Sequence, residues 1–252
     1  MNFLNFFRNE KEDLQFIDVS EKSAIYPHFP PVLAKNVTPF FKQTHEKQFG
    51  SYQFPGCPGM YDYSQYGYII PAWTDIHIKS NKAGNVAICG SRGEDFQRRM
   101  PPVKQPLRMD LNVTHGLFEF KDNIEPCVWN IAAPWSILGS KNISALLMPA
   151  IYHCNFFDDL YVYPGIVDYQ NFHTINFICS PKRNCEVHIK AGEPLIHVIP
   201  FYTTKTIVAT YGPATSEEIS ALQVKKESWI KHFYRKYCMT KKKFEISKKV
   251  SE

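Results

Sequence analysis

The densest concentration of groups able to hold an anion is the stretch from Ser91 to Arg99, SRGEDFQRR, where Arg92, Arg98 and Arg99 stand beside Glu94 and Asp95. A guanidinium offers a planar fork of donors that meets a phosphate or carboxylate through two parallel hydrogen bonds. Arg92, Arg98 and Arg99 are therefore candidate ligand-binding residues, although the same composition describes a solvated loop whose acids neutralise its arginines. A second group is purely cationic. Residues 225–252 hold ten Lys or Arg against three Glu, a net +7, while residues 1–224 sum to −2 and the whole chain to +5. Residues 225–249 can hold nucleic acid by counterion release, with Trp229, Phe233, Tyr234 and Tyr237 as stacking rings. They can equally pack those rings on the body and leave the lysines in water. The third candidate is Asp168, in the turn-forming run Pro164-Gly165-Ile166-Val167-Asp168. Its carboxylate serves either as an acidic site residue or as an acceptor for nearby backbone N–H groups.

Other chemistries find no local support. The seven cysteines, at 57, 89, 127, 154, 179, 185 and 238, include no Cys-x-x-Cys pair, the spacing of zinc and redox sites. The nine histidines form no His-x-His or His-x-x-x-His, and no His-x-Glu accompanies a Pro-Cys-x-x-Cys, against cupin-like and deaminase-type metal centres. No cofactor is expected, and a metal would have to be assembled from residues far apart in the chain. His77 and His188 lie in alternating apolar stretches and are expected on the polar face. Cys179 and Cys185 flank a connector and are expected as free thiols. No apolar run approaches the roughly 20 residues needed to cross a bilayer. Phe3, Leu4, Phe6 and Phe7 are too quickly followed by Arg8, Glu10 and Lys11 to form a secretory core. The expectation is a soluble, unexported protein without membrane contact.

These groups need a scaffold, and it reads as β. The chain has 252 residues, 44% hydrophobic and 15% aromatic, with eighteen prolines against twelve glycines, which suits many short strands joined by irregular loops. Ile175, Phe177 and Cys179 alternate with Thr174, Asn176 and Ile178, and Val187 and Ile189 alternate with His188 and Lys190, predicting a hairpin closed by Ser180 to Asn184, where Pro181 presets φ and Asn184 tolerates the left-handed region. A turn at Ala191-Gly192-Glu193 then leads into the apolar run Leu195 to Phe201. A meander is predicted over Gly67–Pro71, Asp75–Lys79 and Gly84–Cys89, and further strands near Gly116–Phe120, Cys127–Ala132, Ile143–Met148 and Lys205–Tyr211. Residues 1–54 read as an irregular lead docked through aromatic anchors such as Phe16 and Phe29, with a short helix expected between Pro39 and Phe49. After Pro213 the period changes. Thr215 and Glu218 form a capping-box pair, and Ile219, Leu222, Ile230, Phe233 and Tyr237 recur at helical spacing, predicting one amphipathic helix over about Ser216 to Met239.

The run from Gly165 to Phe201, with Ile175-Asn176-Phe177, Gly192-Glu193-Pro194-Leu195 and Ile199-Pro200-Phe201, resembles an uncharacterised family of bacterial and tailed-phage proteins. Cys57-Pro58 with Tyr66-Gly67-Tyr68-Ile69-Ile70-Pro71, and Trp129 with Ala133-Pro134-Trp135-Ser136, resemble that family's earlier blocks. The likeness covers roughly residues 55 to 205 and brings no known activity. A more distant likeness is to the trimeric dUTPase and dCTP deaminase barrel, in which a Gly-Val-Ile-Asp turn sets an aspartate beside a deoxyribose. That resemblance implies Asp168 as general base, Asn171, Phe172 and Ser136 as ligand-binding positions, magnesium on a phosphate chain, and a homo-oligomer. Glu193, Asp158 and Asp159 are the nearby second acids. The chain departs from the pattern where Asn171 replaces an aromatic ring and where Pro134-Trp135-Ser136 lacks an arginine.

The reading is a mainly β protein: a single antiparallel β-barrel or sandwich of dUTPase-like β-clip type over residues 55–212, preceded by the lead and followed by the basic helix and tail of residues 213–252. A viral binding or structural module with a viral or host protein partner, in host cytoplasm or virion, is the expected function. A nucleotide hydrolase using Asp168 and a nucleic-acid binder using the tail are the alternatives.

Overall fold

The computed structural model describes residues 14–19, 28–39, 58–80, 86–90, 129–140, 142–169, 173–203, 209, 213–220 and 244–246. Its strands are β1 (Leu14–Asp18), β2 (Val32–Leu33), β3 (Tyr68–Pro71), β4 (Ile76–Ser80), β5 (Val86–Gly90), β6 (Trp129–Gly139) and β7 (Ile143–Pro149). They continue as β8 (Leu160–Val162), β9 (Gly165–Asp168), β10 (Thr174–Pro181), β11 (Glu186–Ile189) and β12 (Pro194–Tyr202), with the α-helix α1 (Pro58–Gln65) before β3 and short 3-10 turns at Ala34–Asn36 and Phe156–Asp158. All pairings are antiparallel. They form sheets of four strands (β1-β6-β10-β8), three (β11-β4-β5) and five (β2-β3-β12-β7-β9). No described strand closes any of these sheets into the expected barrel. No described helix is long and apolar enough to cross a membrane.

The three sheets are joined by a ribbon that bends without losing register. β4 pairs with β11 through Ile76 and Ile189, and β3 pairs with β12 through Pro71 and Pro194. Between them the Ala72 N–H donates to the Glu193 carbonyl (2.8 Å) and the Gly192 N–H to the Ala72 carbonyl (2.7 Å). Donors freed at the bend are met by carboxylates, Ala191 N–H by Asp75 Oδ1 (2.8 Å) and Lys190 N–H by Glu193 Oε2 (3.0 Å). Gly192 takes φ +90° at this corner, as its place in the turn predicts.

The expected hairpin between β10 and β11 does not form. β10 pairs with β6 and β8, and β11 pairs with β4. Each strand satisfies its backbone groups on a ladder with a distant strand instead, and Ser80 of β4 bonds to both sides of the connector, its hydroxyl donating to the Lys182 carbonyl (2.5 Å) and accepting from the Cys185 N–H (3.1 Å). Within that connector Asn184 does adopt a positive φ of 54°. The meander is likewise partial, since β4 and β5 pair but β3 belongs to the five-stranded sheet. Two pieces read as irregular or as a turn are strands: Leu14–Asp18 borders β6, and Gly165–Asp168 borders β7.

Alternation in β10 and β11 holds. Ile175, Phe177, Cys179, Val187 and Ile189 join residues from all three sheets, including Trp73, Ile76, Ile131, Ile137, Leu147 and Val198, in one buried cluster. Phe16 and Phe29 pack against it as the anticipated anchors. The Pro134 block interrupts a ladder: register shifts between Thr174 and Asn176 opposite β6, because proline has no N–H to donate. After Pro213, residues 216–220 are helical, and the capping box is formed, Thr215 N–H to Glu218 Oε2 (2.8 Å) and Glu218 N–H to Thr215 Oγ1 (3.2 Å). The rest of that helix, the strand expected near 116–120, all of the strand expected near 205–211 except Ala209, which is not in a strand, and the helix expected in 39–49 beyond Pro39 lie outside the described residues.

Gly67, at φ +78°, joins α1 to β3 where any Cβ would collide with the Val198 carbonyl oxygen. Gly67→Ala therefore combines left-handed strain with backbone overlap and should cost about 3 kcal/mol or more, measured as a lowered denaturant midpoint with unchanged slope.

Candidate functional site

Asp168 ends β9, exposed, opposite Ser144 of β7. The next residue turns inward, so that Tyr169 is fully buried and its carbonyl accepts the Gly139 N–H (3.2 Å). The aromatic ring that follows the acid is thus a core residue, held against Gly139, where an added Cβ would lie 3.0 Å from Tyr169 Cβ. Farther on, the His173 carbonyl accepts the Ile137 N–H (2.8 Å), and Thr174 faces Ser136. Ser136 is half-buried inside the four-stranded sheet between Ile17 and Thr174. The segment leaving Asp168 is laced along β6, with Asp168 and Ser136 at opposite ends of the lacing. Arg92, Arg98, Arg99, Asn171 and Phe172 lie outside the described residues.

The acids read as possible partners of Asp168 are engaged at other corners. Glu193 caps Lys190 in the turn before β12, and Asp159 lies 3.9 Å from Lys182 near the start of β8. Asp158 is exposed on the 3-10 turn Phe156–Asp158. His77 and His188 are on the polar face as expected, directly opposite each other, and Glu186 reaches both His77 Nε2 (2.7 Å) and Lys79 Nζ (3.3 Å). These partners hold the Glu186 carboxyl below the usual carboxylate range, His77 contributing most. Cys154, Cys179 and Cys185 are free thiols. Burial, helped by the charge of Glu193, raises the Cys154 thiol well above its ordinary value, so it is a poor nucleophile.

A cluster not foreseen from sequence lies on the outer face of the five-stranded sheet. Proline at the first position suits the start of α1, and the helix lays Tyr63 on this face. Its hydroxyl donates to Met148 Sδ (3.4 Å), and its ring meets Tyr152 (5.3 Å between centroids) and His197 (4.8 Å) edge-on. His197, between Ile196 and Val198 of β12, points away from the main core, fully buried, with Nε2 bonded to the Tyr66 carbonyl. His153, in the turn after β7, is 6% exposed, with its ring 6.0 Å from that of His197. Neither nitrogen of His153, nor Nδ1 of His197, has a partner at hydrogen-bond geometry.

The electrostatics follow from burial. His153 is pushed down to about 4 by desolvation and by the facing His197, against the opposing pull of the Ser64 backbone. His197 is lowered by desolvation, countered by the Tyr66 carbonyl. Tyr63 is raised to about 12 by burial and by Tyr152. At neutral pH this is an uncharged pair of imidazoles beside a protonated phenol, with His153 too weakly basic to serve as a general base there. The available signal was His197 itself, a lone imidazole inside the apolar run Leu195 to Phe201.

The Tyr169 hydroxyl is buried without a hydrogen-bond partner. Tyr169→Phe should be neutral or stabilise by about 1 kcal/mol, whereas Tyr169→Ala should cost about 3–5 kcal/mol, both read from urea unfolding curves. No known family model matches the chain, and no curated protein matches it.

Proposed function

We propose that the protein is a phage-type binding or structural module, built as a dUTPase-like β-barrel or sandwich, that presents the edge of its five-stranded sheet to a protein partner, first of all a second copy of itself. The observation supporting this is Ile166. It is 70% exposed on β9, the last strand of its sheet among the described residues. Covering such a side chain contributes about 1.5–3 kcal/mol. Register places Leu146 beside Ile166, Ile199 beside Leu146, and Phe201 in the row of Ser144 and Asp168. Leu146, Ile199 and Phe201 are half-buried, so the exposed isoleucine continues an apolar stripe. An edge strand also offers a row of backbone donors and acceptors to an incoming strand. Pro164 and Asp168 bracket β9 and restrict pairing to one short register. A viral or host partner in cytoplasm or virion would use the same edge.

A second reading, a nucleotide hydrolase, is favoured by the exposed carboxylate of Asp168 on a backbone pinned from behind by Tyr169. Magnesium is held by one or two carboxylates together with substrate phosphates, and Asp168 supplies one. Among the described residues no three His, Cys, Asp or Glu side chains gather as a metal cage, so most ligands would come from the phosphates. The aromatic position of that enzyme pattern falls at Asn171, and Tyr169 cannot replace it from inside the core. A third reading, nucleic-acid binding through residues 225–249, draws support from the net positive charge of that segment. Against it, the Phe244 ring packs on Tyr66 (4.5 Å) and Tyr68 (5.7 Å), and Tyr68 Oη donates to the Glu245 carbonyl (3.1 Å).

Light scattering at micromolar concentration should give a multiple of the 29.2 kDa chain mass, and Ile166→Lys should return the single-chain mass without lowering the melting temperature. A wild-type protein that is already monomeric overturns self-association. Thermal-shift measurements with deoxynucleoside triphosphates, with and without magnesium, should be flat. A rise of several degrees that disappears in Asp168→Asn would put the hydrolase reading first.

A further inference from the structure

We propose that His153 and His197 form an acid-sensitive clamp that fixes α1 to the outer face of the five-stranded sheet and releases it when the pair takes up a proton. The geometry supplies a closed site with nowhere to put a charge. His197 is fully buried and His153 is 6% exposed, with ring centroids 6.0 Å apart. The Tyr66 carbonyl is an acceptor, so His197 Nε2 carries the hydrogen and Nδ1 is the basic atom. Among the described residues, that Nδ1 and both nitrogens of His153 have no partner at hydrogen-bond geometry, and only the Ser64 backbone pulls His153 toward the charged form. Protonation therefore adds a buried N–H to rings that have at most one backbone acceptor each, and a second proton places like charges face to face.

Among the described residues, the groups around the pair offer no carboxylate that acts on either imidazole, and only the Ser64 and Tyr66 backbone favours the charged forms. From α1 come the Tyr63 ring, whose hydroxyl is spent on Met148, and the Ser64 backbone; after α1 comes the Tyr66 carbonyl. From β7 comes the Met148 thioether, and from the following turn Tyr152 and the Cys154 thiol, which bonds to the Ala150 carbonyl at 3.4 Å. Glu193 acts on Cys154. His153 is shifted by burial, by His197 and by the Ser64 backbone, and His197 by burial and the Tyr66 backbone, with no carboxylate among these causes.

α1 is the part that yields. It has eight residues, too few to persist as an isolated helix, and Tyr63 ties it to Met148 and His197. Lifting it would take the Tyr63 ring off His197 and Tyr152 and its hydroxyl off Met148, hydrating both imidazoles, while no residue of α1 belongs to the main cluster. The sign is fixed by the lowered folded-state values. The clamp is at full strength above the ordinary histidine value of 6.5, weakens as the pH falls below it, and is lost as the pH passes His153's value of about 4.

The test is hydrogen exchange on the full chain from pH 7.5 to 3.5, corrected for the intrinsic pH dependence of exchange, with far-ultraviolet circular dichroism in parallel. Residues 58–67 should lose protection in a step between about pH 6 and 4, while amides of β10 and β12 stay protected and the β signal persists. His153→Phe should move that step at least about one pH unit lower, and His197→Asn, which keeps a donor for Tyr66, should move it in the same direction. Opening of α1 only together with the whole sheet, or a step unmoved in both variants, overturns the proposal. Should neither variant fold, proton NMR titration of the wild-type imidazoles decides. Midpoints below the ordinary 6.5 for both rings support the clamp, and a midpoint at or above 6.5 for either sinks it.

Discussion

The corner at Ala72 and Glu193 is the constraint from which the rest of this structure follows. Two segments, residues 68–80 and 186–198, run antiparallel through it and change sheets together, so their backbone donors and acceptors stay paired across a sharp bend. An unpaired buried amide costs about as much as a lost hydrogen bond, and here the two groups that the bend frees are met by Asp75 and Glu193. The bend wraps Trp73, fully buried, into the cluster shared by all three sheets. Opening this corner would separate the three-stranded sheet from the five-stranded one and expose that cluster.

The same ribbon has an outer face with different chemistry. A smaller apolar group of Ala34, Ile69 and Ala150 lies there with Val32, Val37 and Cys154 against it, and α1 covers the neighbouring His197. Because α1 reaches the sheet through Gly67, whose backbone lies against Val198, helix and strand are locked at a distance that leaves no room for a side chain. This side is built from few apolar contacts and several polar groups without partners, the composition expected of a region that opens before the main core does. The edge of the same sheet carries Ile166 and Asp168, so adaptable and adhesive features share one sheet.

Asp168 shows how local sequence and tertiary context divide the work. The acid was visible as a candidate in Gly-Ile-Val-Asp, and it is exposed. The backbone around it is a strand rather than a turn, because β7 supplies a ladder that no local pattern announces. Tyr169 was silent in sequence, yet its burial aims the carboxylate outward. Ser136 drew notice within an aromatic block, and the structure makes it a residue of an inner strand beside a proline-induced break in register. His153 and His197 are 44 positions apart in the chain, and only the packing of β12 against the turn after β7 brings them together.

What the amino-acid order determined by itself was local: the two-residue alternation of β10 and β11, the left-handed positions at Asn184 and Gly192, the Thr215–Glu218 capping box and the polar orientation of His77 and His188. Each depends on interactions within a few residues, where backbone sterics and side-chain period leave few choices. Tertiary structure alone decided which strand lies beside which. β10 went to β6 and β8 and β11 to β4, with Ser80 of β4 bonded to both sides of their connector, and the ribbon corner delivered β11 and β12 to different sheets. Strand partnership is a long-range choice settled by burial and by the satisfaction of backbone groups over the whole molecule, and neither is encoded in any short stretch of residues.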